Sequence, residues 1–167
     1  MSARGGDVRT PPHSIEAEQA VLGGLLLDSQ SWDDVADVLR SEDFYRPDHR
    51  LVFEAIGQVA GAAKPADAVT VSEYLERSGR LADVGGLAYL GTLVRDTPTA
   101  ANVRAYAGIV RERSLLRQLL KAGTDIASSV FNNEGETARE LVEHAEGRVF
   151  AIAEQGVRGA RDGAVSV

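Results

Sequence analysis

The sequence contains no cysteine among its 167 residues, and this absence excludes disulfide bonds, thiolate catalysis and cysteine-ligated zinc. Aromatic residues make up only 5% of the chain, so we expect a core of Leu, Val, Ile and Ala, which suits packed helices. No apolar run approaches the roughly 18 residues that a membrane span needs, and the start, MSARGGDVRTPPHS, has no apolar signal region. We therefore expect a soluble cytoplasmic protein with no membrane contact.

Basic residues are also scarce, since 18 Lys and Arg stand against 25 Asp and Glu and give a net charge of −7. Affinity for a phosphate backbone comes mainly from clustered Lys and Arg, so direct nucleic-acid binding is not expected. Lysine occurs only at Lys64 and Lys121, and neither completes the Walker A pattern G-x-x-x-x-G-K-[ST]. The sequence therefore gives no nucleotide-binding loop.

Other catalytic and metal-binding patterns are absent as well. His13, His49 and His144 lie in three separate segments, and none has a second ligand four residues away as a helical zinc site requires. No G-x-S-x-G nucleophile elbow occurs, although a triad assembled in space stays open as an alternative. We expect no catalytic residue, no metal site and no bound cofactor in this chain.

Apolar residues recur at intervals of three and four along most of the chain, which predicts an all-α protein. The first helix follows Ser14, a good N-cap, in SIEAEQAVLGGLLLD. Later short helices are marked by their first residues or caps: Ser31, Pro47, the capping box Thr70–Glu73 (TVSE), and Gly85 with Gly86. Gly79 is expected to end the fourth helix in a left-handed conformation. Together these helices form a globular head.

Gly23 and Gly24 stand in the middle of the first predicted helix. Each glycine lowers helix stability by about 1 kcal/mol relative to alanine, so their presence calls for a reason. Because no phosphate-binding loop is present, we interpret them as small residues that let another helix approach closely.

The second half of the chain predicts two long helices. About thirty residues from Thr99 onward contain no proline and would form a helix of about 45 Å. The turn NNEGE and a second capping box, Thr137–Glu140 (TARE), lead into a final helix that ends near Gln155. The predicted organisation is a disordered arm (1–12), a helical head (13–98), a projecting helical hairpin (99–155) and a linker or chain end (156–167).

Several ordered blocks of the sequence resemble a known family. They are PPHSIEAEQAVLGGLLLD, DFYRPDHRLVFEAI, PADAVTVSEYL, VGGLAYLGTLV, TPTAANVRAYAGIVRERSLLRQLL and ELVEHAEGRVFAIAE. Together these blocks are similar to the N-terminal domain of the bacterial replicative DNA helicase of the DnaB type. The resemblance extends from about Pro11 to Gln155, nearly the whole chain.

This resemblance implies a non-catalytic collar domain made of an all-α head and a helical hairpin. Its expected partners are further copies of itself, as a dimer or a trimer of dimers in a hexamer, and the C-terminal domain of primase, with a helicase loader as a further candidate. In the family an ATP- and Mg²⁺-dependent helicase motor follows this domain. Since no Walker motif precedes Val167, a piece cut from a longer helicase is favoured, and a stand-alone helical adaptor or dimerisation module without a motor is the alternative.

The resemblance also implies site residues. Matching blocks place the primase-binding surface at Glu16, Tyr89, Leu120 and Ile126. The alternatives are a half-buried Tyr89 with its hydroxyl in water, and burial of Leu120 and Ile126 within the paired hairpins. Hydrophobic hairpin residues are the candidates for the interface between subunits: Ile109, Leu116, Leu119 and Val130.

Overall fold

The computed structural model describes the backbone of residues 9–165 and the side chains of residues 9–156. Within this range the protein is helical and contains no strand, so the predicted all-α fold is confirmed. Its helices are α1 (Ile15–Leu27), α2 (Trp32–Ala36), α3 (Pro47–Gly61), α4 (Ala68–Arg77), α5 (Gly86–Arg95), α6 (Val103–Phe131) and α7 (Ala138–Val165). Short 3-10 turns occur at Ser29–Ser31, Ser41–Asp43 and Ala82–Val84.

Helix α1 lies at the centre of the head and packs against α3, α5 and α6. Its core side chains Val21, Leu22 and Leu25 are fully buried. A Cβ atom on Gly23 would lie 2.0 Å from Thr97 Oγ1, and one on Gly24 would lie 3.1 Å from a methyl group of Val103. The two glycines therefore allow the end of α5 and the start of α6 to approach α1, as the sequence predicted.

Several predicted helix boundaries are confirmed. The Ser14 hydroxyl accepts a hydrogen bond from the Ala17 amide at 3.2 Å, and Pro47 is the first residue of α3. Gly79, with φ of +72°, follows the end of α4 in the left-handed conformation. The capping box of α7 is present, since Thr137 and Glu140 exchange hydrogen bonds between side chain and backbone.

Two predicted caps differ from the structure. Ser31 occupies the N-cap position of α2, as predicted, but makes no side-chain cap bond, and Asp28 caps the 3-10 turn that precedes it. The N-cap of α4 is Asp67, three residues before Thr70, the predicted N-cap. Asp67 accepts hydrogen bonds from Val69 N and Thr70 N, and the Thr70 hydroxyl accepts one from Asp67 N. Carboxylates are among the best N-caps, so the acidic residue sets the start of the helix.

The hairpin consists of α6 and α7. The first turns of α6 pack against the head through Val103, Ala107 and Val110, which are buried. The later turns of α6 pack against α7, and Gly135, with φ of +88°, lies in the connecting turn. At 1.5 Å per residue the 29 residues of α6 extend about 44 Å, which agrees with the predicted length.

The last helix is longer than predicted, and the predicted N-terminal arm lies only partly within the described residues. The helix end predicted near Gln155 is wrong, because α7 continues to Val165 through most of the segment 156–167 that was expected to be a linker. Glycines weaken a helix without ending it, and that segment contains no proline. Of the predicted arm, residues 1–8 lie outside the described part. Pro12 lies against the hairpin, since its carbonyl accepts a 2.7 Å hydrogen bond from Arg117 Nη1.

The described part of the chain shows neither a membrane span nor a metal-binding group of side chains. No helix there combines the length and the apolar character that crossing a membrane requires. Within residues 9–156, no three His, Asp or Glu side chains are grouped so that they could hold a metal ion.

Candidate protein-interaction site

Tyr89 lies on α5, where the head surface is formed by α1, α3 and α5. Its side chain is half-buried, in agreement with the alternative given for Tyr89 in the sequence analysis. That alternative placed the hydroxyl in water, whereas the structure shows it hydrogen-bonded inside the head. The hydroxyl oxygen lies 2.7 Å from Nε2 of His49 on α3 and 3.2 Å from Nε2 of Gln19 on α1. Three helices thus converge on one tyrosine.

A buried hydrogen-bonded pair, formed by Glu18 and His49, lies beneath this tyrosine. Oε1 of Glu18 lies 2.7 Å from Nδ1 of His49, and the two side chains are 1% and 0% exposed. The other carboxylate oxygen of Glu18 accepts a 2.6 Å hydrogen bond from the amide of Tyr45. These donors compensate the loss of hydration that an isolated buried carboxylate would suffer.

Arg46 covers the outer face of the tyrosine. Its guanidinium carbon lies 5.6 Å from the centre of the Tyr89 ring, which is cation–π distance. Arg46 also pairs with Asp48, and this hydrogen bond raises the pKa of the guanidinium above its usual value. The surface at this point therefore presents an aromatic ring beside a permanent positive charge.

Glu16 lies close to this group. It is exposed on α1 and lines a cleft of about 280 Å³ together with Asp96 and Tyr106. Gln19 lines the same cleft and also donates to Tyr89, so it connects the two predicted residues. The structure thus brings Glu16 and Tyr89 to one side of the head.

The other two residues predicted for primase binding lie on the hairpin. Leu120 is exposed on α6, whereas Ile126 is half-buried, one turn after the buried Ala122. The twenty residues between Tyr106, at the cleft, and Ile126 correspond to about 30 Å along the helix. Leu120 and Ile126 are therefore not part of the compact group on the head.

The four residues predicted for subunit association are all exposed. Successive residues of an α-helix are rotated by about 100°, so these side chains lie opposite the buried side of α6, where Ala107 and Ser114 lie. Leu120 and Phe131 extend the same stripe. We call this surface the outer stripe of α6; its members are Ile109, Leu116, Leu119, Leu120, Val130 and Phe131.

Sequence reasoning missed a polar anchor between the head and the hairpin. The buried carboxylate of Asp43 accepts hydrogen bonds from Arg111 Nη1 at 3.0 Å and from Ser114 Oγ at 2.7 Å, both on α6. Arg111 also donates to the carbonyl of Gln155 on α7 at 3.2 Å, so one side chain joins three parts of the protein. The available signal was that Ser114 follows the buried Val110 by one turn and shares its face.

The buried Glu18–His49 pair was missed as well. Glu18 lies in the first turn of α1, where a negative charge interacts favourably with the helix dipole. It precedes Val21, Leu22 and Leu25 by three, four and seven residues, which places it on the apolar face of α1. A carboxylate on the buried face of a helix needs a buried donor, and this was the signal for His49.

The fold and these surfaces define a class of protein: an all-α head-and-hairpin domain that exposes apolar side chains along its hairpin. A family model described as the DnaB-like helicase N-terminal domain matches residues 10–112, more than half of the chain. The chain therefore belongs to the DnaB-like helicase N-terminal domain family.

Curated relatives agree with this assignment. The chain is 41% identical over 145 residues to the replicative DNA helicase DnaB of Pasteurella multocida, which is 87% of this chain and 31% of that protein. It is 43% identical over 148 residues to DnaB of Haemophilus influenzae, or 89% and 32% of the two lengths, and 47% identical over 147 residues to DnaB of Mycobacterium leprae, or 87% and 24%. The chain thus spans between a quarter and a third of the relatives it matches.

Solved structures show the same fold. The crystal structure of the N-terminal domain of DnaB helicase from Mycobacterium tuberculosis superposes with a TM-score of 0.82 at 45% identity, covering 85% of this chain and 99% of that one. A structure described as a DnaB-like replicative helicase and its interactions with primase gives a TM-score of 0.67 at 20% identity, covering 83% and 31%. At that identity the second likeness supports the fold alone.

Proposed function

We propose that this chain is the N-terminal collar domain of a hexameric replicative DNA helicase. In this role it associates with further copies of itself through the hairpin and docks the C-terminal domain of primase on its surface, with a helicase loader as a further partner. The proposal places the protein in the cytoplasm, where bacterial DNA is replicated. It assigns no catalytic step to this chain, and it assigns ATP and Mg²⁺ to the motor domain of the helicase.

The outer stripe of α6 carries the association part of the proposal. Its leucines are 43–53% exposed and Phe131 is 87% exposed. Exposed apolar side chains that share one face of a helix are typical of protein interfaces, and burial of one leucine stabilises a complex by about 1.5–3 kcal/mol. Pairing with the hairpin of a second copy would cover this stripe.

The test is Leu116→Glu, measured by analytical ultracentrifugation of the 167-residue chain. We expect the dissociation constant of self-association to rise at least about tenfold, because a carboxylate would be buried at the contact. Leu87→Glu is the matched control: Leu87 lies on α5 of the head and is 49% exposed, against 43% for Leu116. An equal effect of both variants, or no effect of Leu116→Glu, would contradict pairing through this stripe.

The residues around Tyr89 on the head support the primase part of the proposal. Half-buried aromatic rings beside arginine are frequent anchors of protein interfaces, and Tyr89 with Arg46 has this arrangement. A DnaB-like replicative helicase of the same fold is described together with its interactions with primase, and for that reason primase is the partner that we propose. Exposed Glu16 adds a charge nearby.

Calorimetric titration with the C-terminal domain of the same organism's primase tests this part. We expect Tyr89→Ala to weaken binding by about 1–2 kcal/mol, or roughly five- to thirtyfold, while the circular dichroism spectrum stays unchanged. Val69→Ala, an exposed apolar residue on α4, serves as a control and should bind like the wild type. Equal affinity of the Tyr89→Ala protein would remove Tyr89 from the docking surface.

A further inference from the structure

We propose that the buried Glu18–His49 pair positions Tyr89 for partner docking, with His49 as the positioning residue. This inference rests on the proposed docking function of the head. It concerns how the ring is held, since neither Glu18 nor His49 is accessible to a partner.

The tautomer of His49 sets the directions of these hydrogen bonds. A carboxylate only accepts, so Nδ1 of His49 carries the proton and donates to Glu18. In the neutral imidazole Nε2 is then an acceptor, and the Tyr89 hydroxyl donates to it over 2.7 Å. The Gln19 amide donates to the same hydroxyl oxygen. The Tyr89 hydroxyl thus uses its proton and one lone pair in hydrogen bonds within the head.

The ring itself is held from several sides. The planes of the His49 and Tyr89 rings are 11° from parallel, with centroids 6.0 Å apart, and Arg46 lies over the tyrosine. A Cβ atom on Gly85 would lie 2.9 Å from the Cβ of Tyr89, so glycine leaves room for the tyrosine side chain. Gly85 also has a φ of +93°, which a residue with a side chain rarely adopts.

Such restraint favours binding. A side chain that is already fixed in one rotamer loses less entropy when a partner immobilises it, and the saving appears as affinity. Because its hydroxyl is committed inward, Tyr89 offers a partner its ring and the neighbouring guanidinium. We therefore expect primase to contact the tyrosine ring and the guanidinium of Arg46 through an apolar or acidic patch.

A double-mutant cycle between His49 and Tyr89 tests this role. Affinities for the same organism's primase are measured for Tyr89→Phe, His49→Gln and Tyr89→Ala, and for His49→Gln combined with Tyr89→Ala. We expect Tyr89→Phe and His49→Gln each to weaken binding about two- to tenfold, the value of one net hydrogen bond. In the Tyr89→Ala background His49→Gln should cause no further loss, because its effect passes through the ring.

A purely structural effect of His49 would give a different result. It would lower affinity by the same factor in both backgrounds, and that outcome overturns the proposal. Gln19→Leu provides a second variant that leaves the buried pair intact and should also weaken binding. His144→Gln, on the exposed face of α7, is the matched histidine control and should bind like the wild type.

Nitrogen chemical shifts of His49 give a readout that does not depend on primase. In the wild type Nε2 should show the shift of a hydrogen-bonded acceptor, and Tyr89→Phe should move it while Nδ1 stays protonated. An Nε2 resonance that Tyr89→Phe leaves unchanged overturns the positioning bond.

The two proposals fail in different ways. Absence of saturable binding by the wild-type chain overturns the docking function and this inference with it. Binding that Tyr89→Ala weakens and that Tyr89→Phe leaves unchanged overturns the positioning role alone.

Discussion

Gly23 in α1 shows how one residue limits the packing of the head. A methyl group at this position would lie 2.4 Å from the carbonyl oxygen of Leu93, a backbone atom that cannot move without shifting α5. Gly23 therefore sets the distance between α1 and the end of α5. The helix propensity that alanine would add is smaller than the strain of this clash.

The resulting prediction compares two glycines in helices. Gly23→Ala should lower the free energy of unfolding by about 2–3 kcal/mol in urea denaturation, because the clash outweighs the gain in propensity. Gly108→Ala is the matched control on α6, where a Cβ atom would meet nothing within 4 Å. That variant should raise stability by about 0.5–1 kcal/mol. A Gly23→Ala protein as stable as the control would show that α5 gives way easily.

At the scale of elements, the start of α7 depends on the capping box of Thr137 and Glu140. Glu140 accepts a hydrogen bond from the Thr137 amide, and this bond, together with the one to the Thr137 side chain, lowers the pKa of the Glu140 carboxyl. The folded-state pKa is thus below the unfolded-state pKa. The stabilisation is present above the unfolded-state pKa and is lost as the pH falls through the folded-state pKa.

We therefore expect Thr137→Ala to raise the pKa of Glu140 toward its ordinary value, as measured by an NMR titration of its carboxyl carbon. Hydrogen exchange in the first turn of α7 should become faster in the same variant. Glu140→Gln keeps an acceptor that does not titrate, so the acid-induced loss of protection should disappear. A Glu140 pKa unaffected by Thr137→Ala would show that the Thr137 hydroxyl takes no part in the capping box in solution.

At the scale of the whole molecule, the direction of the hairpin depends on polar contacts with the head. Asp43 is held by Arg111 and Ser114, and Arg117 Nη2 donates to the Asp43 carbonyl at 2.6 Å. Directional hydrogen bonds to a buried carboxylate restrict rotation more than apolar contacts, which tolerate sliding. This anchor sets how the outer stripe of α6 is presented to a second copy.

The prediction is that Arg111→Ala broadens the range of hairpin orientations. Because the chain has no cysteine, spin labels can be placed at Glu73→Cys on α4 and Ser128→Cys on α6 without a background signal. Electron paramagnetic resonance should give a narrow distance distribution for the parent and a broader one for Arg111→Ala. Lys121→Ala removes only an exposed pair with Asp125 and should leave the distribution unchanged. Equal widths in all three proteins would show that apolar packing alone orients the hairpin.

The sequence by itself determined the all-α fold, the long hairpin and most helix starts, because these follow from local periodicity and caps. The sequence also predicted the close approach of helices at Gly23 and Gly24 and the family to which the chain belongs. It did not determine the start of α4, where Asp67 competes with Thr70, or the extent of α7, where glycines give an ambiguous signal.

Only the tertiary structure decided which polar residues meet. Glu18 and His49 are 31 positions apart and Tyr89 lies 40 beyond His49, while Asp43 and Arg111 are 68 apart. Contacts over such separations depend on how helices pack, and no local pattern encodes that. The same reason separates Glu16 and Tyr89 on the head from Leu120 and Ile126 on the hairpin. Exposure of the outer stripe likewise depends on which face of α6 the head and α7 cover.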